Sequence, residues 1–273
     1  MFINRKGSPM YFLSHDGIQL YYELKGSGPP LLLIAGLASD SRSWLPVADG
    51  LAERFTLIMP DNRGAGRSSQ ECPISIDLLA DDCLALVRHL GLEKVNMLGH
   101  SMGGMAAISF AVRNPRMLEK LLLAATSPRN PARNNLLFSD WADACASGSD
   151  RAAWFRSIFT WIFTERFFDD HEVVEGAVRY LLDDPWPQSP QAFRCQVDAI
   201  AACNVTAGLD RITAPTCVIA GDRDAFFSLD SSTELARQIP GARLTVIGEA
   251  AHSIHSEQPD QFVRAVSGFL LPE

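Results

Sequence analysis

One serine in this chain sits where a serine can be made to react. The stretch Gly99-His100-Ser101-Met102-Gly103-Gly104 follows a short apolar run, Val95-Asn96-Met97-Leu98. It precedes Met105-Ala106-Ala107-Ile108, which is rich in helix formers. A serine between strand and helix, with glycine two residues before and two after, is the nucleophile-elbow pattern. Side chains at Gly99 and Gly103 would collide across so sharp a turn, and the serine at its tip must take a strained backbone conformation. The turn also brings Ser101 to a helix N-terminus, where free N–H groups and the dipole favour negative charge.

A serine hydroxyl is a poor nucleophile at neutral pH. It needs a base within hydrogen-bond reach and an acid to orient that base. Two later loops offer them. Asp224 follows the apolar run Thr216-Cys217-Val218-Ile219-Ala220, and His252 follows Leu244-Thr245-Val246-Ile247. Asp222 competes for the role of the acid. His255, three residues beyond His252, competes for that of the base and reads as a loop or surface histidine. The transition state further needs two backbone N–H donors. One follows the nucleophile, at Met102. The other comes from the loop after the first buried strand, at Leu37, where Gly36 lets the backbone approach the reacting carbonyl.

These residues need a scaffold that gathers the ends of several strands. Leu31-Leu32-Leu33-Ile34-Ala35, Phe55 to Pro60, Val95 to Leu98, Leu121 to Ala125, Thr216 to Ala220 and Leu244 to Ile247 read as strands. Most are apolar throughout rather than alternating, as in strands buried on both faces. Helices are expected between them, at Trp44 to about Arg54 with Ser43 as cap, Ile76 to Leu90, the elbow helix to Asn114, Leu229 to Ile239, and Pro259 to Leu270. Alternating strands and helices predict an α/β fold, a mostly parallel sheet with helices on both faces. Asp16-Gly17 predicts a hairpin that adds antiparallel strands at one edge. From about Ser127 to Ile212 the rhythm breaks. That stretch reads as helices at Leu136 to Ser147, Arg151 to Phe163, His171 to Leu182 and Pro190 to Ala202, and it holds four of the five tryptophans.

With 273 residues, 47% hydrophobic and 21% charged, the chain has the composition of a globular enzyme. A net charge of −8 offers no attraction to nucleic acid or anionic membrane. No run approaches the roughly 20 apolar residues that span a bilayer, and Met1 to Pro9 has no signal-peptide run, so a cytoplasmic protein is expected. Six dispersed cysteines without C-x-x-C spacing, and histidines without H-E-x-x-H, give no sign of a disulfide framework or a zinc site.

The chain resembles the α/β-hydrolase superfamily. The resemblance rests on Ala35-Gly36-Leu37, the loop Asp61 to Ser68, Gly99 to Gly104, Gly221-Asp222-Arg223-Asp224, and His252 followed by Glu257 and Pro259. Within the superfamily it is most similar to the group of 3-oxoadipate enol-lactonases, aminoacrylate-hydrolase-like proteins and small carboxylesterases. The resemblance implies the α/β-hydrolase fold, with a core of residues 1–127 and 213–273 and a helical cap of residues 128–212. It implies Ser101, His252 and Asp224 as nucleophile, base and acid. Family spacing favours Asp224 over Asp222. Some relatives carry the acid before the cap, where this chain has Ala124-Ala125-Thr126-Ser127 and no carboxylate.

The expected activity is hydrolysis of a carboxylic ester or lactone through an acyl-enzyme, without metal or organic cofactor. Carbon–carbon bond hydrolysis or perhydrolysis on the same residues is the alternative. A ligand sensor with a hydrolase-like fold is a reading of another class. The expected partner is a small-molecule ester or lactone alone, on a monomer or homodimer. Asp61 and Arg63 read as structural, and Glu257 as a partner of the His252 loop. Where many relatives have His-Gly, this chain has Ala35-Gly36, a change expected to widen the pocket or alter its polarity. Of the seven cap arginines (Arg129, Arg133, Arg151, Arg156, Arg166, Arg179 and Arg194), one facing the pocket would point to an acidic substrate. None doing so would point to a neutral, apolar one.

Overall fold

The structure, a computed structural model, describes residues 10–271. The expectation for the N-terminal segment Met1 to Pro9 lies outside the described residues. Eight strands form one sheet: β1 Met10–Leu13, β2 Gln19–Gly26, β3 Pro30–Ile34, β4 Thr56–Pro60, β5 Val95–His100, β6 Leu118–Ala124, β7 Thr216–Gly221 and β8 Arg243–Ile247. Their order is β1-β2-β4-β3-β5-β6-β7-β8. The β1–β2 and β2–β4 pairs are antiparallel. All other pairs are parallel.

The apolar runs are explained by what covers the two faces. On β3, Leu32 and Ile34 join one core with Leu79 and Leu86 of α2 (Ile76–His89) and Met105 and Ile108 of α3 (Met102–Arg113). Leu31 and Leu33 face the other way. They join Val47 and Leu51 of α1 (Leu45–Ala52) and Phe262 and Val266 of α11 (Pro259–Leu270). A strand pressed on both sides has no polar face to alternate with. The remaining core helices are α9 (Leu229–Gln238) and the single turn α10 (Ile254–Glu257).

Between β6 and β7 the chain is helical, with α4 Ala132–Ala146, α5 Arg151–Ile162, α6 Glu165–Phe168, α7 His171–Leu182 and α8 Pro190–Ala202. Helix α4 begins a turn earlier than the apolar pattern indicates. Ser43 does not cap a helix. It lies inside a 3-10 turn, Ser41–Trp44, capped by the Asp40 carboxylate, which accepts from Arg42 N at 2.8 Å. Among the described residues no helix is long and apolar enough to cross a membrane.

Candidate active site

The C-terminal ends of the parallel strands converge on Ser101. Its backbone stands at φ 55°, ψ −119°, between β5 and α3. A non-glycine residue at positive φ costs free energy of order 1–3 kcal/mol and persists where its surroundings over-determine it. Here they do. Ser101 N donates to Ala124 O at 3.0 Å, and its carbonyl accepts from Thr126 Oγ1 at 2.7 Å. A Cβ on Gly103 would run into the Ile34 carbonyl, and one on Gly99 into the Gly103 carbonyl. Both glycines are therefore required by close approach, as the turn geometry demands.

Three side chains from three strand ends form one line. His252 Nε2 lies 2.9 Å from Ser101 Oγ, and His252 Nδ1 lies 3.0 Å from Asp224 Oδ2. The second carboxylate oxygen of Asp224 accepts from Phe226 N at 2.7 Å and Phe227 N at 3.1 Å. A carboxylate can only accept, which assigns the proton to Nδ1 and turns the Nε2 lone pair to Ser101. The Asp224 side chain is 1% exposed. Asp222 is not in this line. Its side chain is 31% exposed, near Arg223 and Ala250 N.

Leu37, with Ser101 and His252, lines a cavity of about 90 Å³. Among the described residues, neither Leu37 N nor Met102 N donates to another protein atom. An oxyanion requires two such unpaired amides. The loop after β3 is pinned from both sides. Asn62 Nδ2 donates to Ala35 O at 2.9 Å, and Ala38, at φ 56°, donates its N–H to Gln196 Oε1 at 3.1 Å. Gln196 belongs to α8 and is fully buried, and its Nε2 donates to Arg63 O at 3.1 Å. Ala35 is itself buried and lines no part of the cavity. At this point the wall is made by Gly36 and Leu37.

His255 is not a surface residue. It is 5% exposed, 5.0 Å from the Trp44 ring and 4.7 Å from the His100 ring. The turn of α10 folds it against Trp44 and His100. Burial and the nearby His252 push its imidazole down to about 4. Burial, His255 and His252 likewise hold His100 well below the usual imidazole range. A neutral His100 carrying its proton on Nε2 donates to His252 O at 2.9 Å, tying the loop of the base to the strand of the serine.

The remaining sequence candidates are structural. Asp61, fully buried, accepts from Ser41 N and Arg67 N, and the Arg63 guanidinium sits between Asp82 and Asp16. Glu257 holds Ala251 N at 2.7 Å. It also accepts from Thr164 N and Oγ1, at 2.8 and 2.7 Å, so it ties the His252 loop to the helical segment as well. The cavity beside Ser101 is walled by Phe138, Trp141, Ile158, Ile162, Phe193 and Phe226. None of the seven arginines of the helical segment lines it.

Residues 29–259 match the family model described as alpha/beta hydrolase fold. The chain is 29% identical to a protein named "Putative carbamate hydrolase RutD" from Agrobacterium fabrum, over 93% of this chain and 98% of that one. It superimposes on a crystal structure of a hydrolase from Pseudomonas aeruginosa with a TM-score of 0.88. The identity is 27%, covering 98% of this chain and all of the other. A thermophilic esterase from Thermogutta terrifontis gives a TM-score of 0.84 at 28% identity, covering 97% and 98%.

Proposed function

The chain belongs to the alpha/beta hydrolase fold family, and on that premise we propose that it is a serine hydrolase of neutral carboxylic esters or lactones. The observation that carries this reading is the unbroken line from Ser101 Oγ through His252 to Asp224. His252 Nε2 takes the hydroxyl proton as Ser101 Oγ bonds to the substrate carbonyl carbon. The oxyanion is held by Leu37 N and Met102 N. When the carbon–oxygen bond to the leaving group breaks, the alkoxide receives the proton from His252. Water, deprotonated by the same imidazole, then attacks the acyl-enzyme and frees Ser101. Asp224 keeps the imidazole in the tautomer this requires. No step calls on a metal or an organic cofactor. The helical segment over the strand ends acts as the cap that excludes water and shapes the cavity.

A cavity wall of aromatic and aliphatic side chains without a guanidinium or ammonium supports a neutral substrate over an anionic one. The test is a panel of p-nitrophenyl esters, lactones and an aryl carbamate, the last because a relative bears that name. The panel is assayed on the wild type and on Ser101→Ala. Turnover of an ester or lactone that vanishes with the hydroxyl, together with covalent labelling of Ser101 by a fluorophosphonate, is the expected result. Turnover that survives Ser101→Ala overturns it.

A further inference from the structure

The cavity beside Ser101 is too small to hold a whole substrate. At about 90 Å³ it takes a handful of waters or a short acyl or alkyl group, against the ~300–1,000 Å³ of ordinary ligand pockets. A second cavity of about 510 Å³ lies next to it, between α5 and α7 on one side and the start of α1 on the other. The two share the wall made by Leu37, Ala38, Ser39, His100, Ile158, Ile162 and Ser253. Beyond that wall the larger cavity is lined mainly by aromatic and aliphatic side chains, among them Trp154, Phe159, Phe163 and Leu181. Among the described residues its one charged side chain is Arg42. That guanidinium is already paired, bidentate to Asp184 at 2.8 Å and also bonded to Asp40, so it offers an anion no free charge.

Resting on the serine-hydrolase reading, we propose that the larger cavity is a substrate subsite for one bulky apolar group. The substrate class is then an asymmetric ester, with a compact group on one side of the scissile carbonyl and a large neutral hydrocarbon group on the other. The large group seats between α5 and α7. Selectivity follows from the two volumes, because each methylene buried in the larger cavity raises kcat/KM by about fourfold. The same methylene on the other side of the carbonyl must enter a space that is already full.

The experiment uses two ester series on the whole protein, one lengthened on the acyl side of an ethyl ester and one on the alcohol side of an acetate. One series is expected to rise in kcat/KM over several carbons while the other falls after two or three. Ala177, on α7, lines only the larger cavity. Ala177→Phe is expected to lower the ratio of long- to short-ester kcat/KM in the rising series by at least tenfold. Leu181→Ala, which enlarges the same space and so covers the case of a variant that fails to fold, is expected to move the optimum to longer chains. Two series that rise alike or fall alike overturn the proposal. So does a long-to-short ratio that neither variant changes. If the shortest esters are not hydrolysed in a Ser101-dependent way at all, the hydrolase reading fails first, and that outcome is distinguishable from these.

Discussion

Replacing Asp224 by asparagine tests the proposed chemistry at its most specific point. The amide of Asp224→Asn keeps an oxygen for Phe226 N and Phe227 N, which the carboxylate holds at 2.7 and 3.1 Å, so the loop keeps its shape. The amide nitrogen must then face His252 Nδ1, 3.0 Å from the present Oδ2. Two donors cannot share that contact. The imidazole shifts its proton to Nε2, and a protonated Nε2 cannot accept from Ser101 Oγ. The wrong tautomer costs about 10⁴-fold in kcat in proteins with this arrangement, equivalent to roughly 5.5 kcal/mol of transition-state stabilisation. The assay is steady-state kinetics on a p-nitrophenyl ester, with thermal unfolding as the control for folding. Asp222→Asn serves as the matched control, since that carboxylate is outside the line, and it should alter kcat by no more than a few-fold. A kcat for Asp224→Asn within tenfold of the wild type refutes the reasoning, as does a larger loss from Asp222→Asn.

Other residues give predictions of different kinds. Gln196→Leu removes the bond by which α8 holds Ala38 N in the loop of Leu37, together with the one that anchors the same side chain to Arg63 O. It should lower kcat by about tenfold to a hundredfold, less than the roughly 10²- to 10³-fold of losing an oxyanion donor outright, with little change in KM or in the pH profile; an unchanged kcat would show that the loop is set without it. His255 carries a proton with a pKa of about 4 when folded and near 6.5 when unfolded. The unfolded chain therefore binds more protons in between, so this contribution is present in full above about pH 6.5 and is lost as pH falls toward 4. It amounts to about 3 kcal/mol. His255→Phe should retain its stability better than the wild type between pH 6.5 and 4 in chemical denaturation, and parallel pH dependences would refute the assignment.

Much of this was readable because each local signal had a single physical cause. Apolar runs such as Leu31 to Ile34 meant strands buried on both faces, and helices cover both faces. The loops holding Asp224 and His252 could be picked out because parallel strands gather their C-terminal ends. The order in which β3 inserts between β4 and β5 could not be read in this way, because pairing is a long-range choice. Gln196 was missed and His255 was read as a surface residue, for different reasons. In α8 the buried face is Ala192, Phe193, Gln196, Val197, Ala199 and Ile200. A glutamine on an otherwise apolar stripe was a legible sign of a buried polar contact. His255 had no such sign, since the four residues of α10 are too few to show a period.

In the aromatic segment, sequence alone cannot divide packing from recognition, and the structure shows why. Ile158 and Ile162, one helical turn apart on α5, belong to the wall shared by both cavities, and both also pack against the main core. Docking and recognition thus fall on a single stripe, and no periodicity can separate two uses of one face. The same helix is fastened to the chemistry at its C-terminal end. Ile162 O accepts from Ser253 N at 2.9 Å, and Thr164 is held by Glu257, which also holds Ala251 N. The residues on either side of His252 are therefore anchored to the helix that shapes the cavities. A substrate group that displaces α5 must also strain the loop that aims the imidazole at Ser101. Misfit in the larger cavity should consequently appear in kcat as well as in KM.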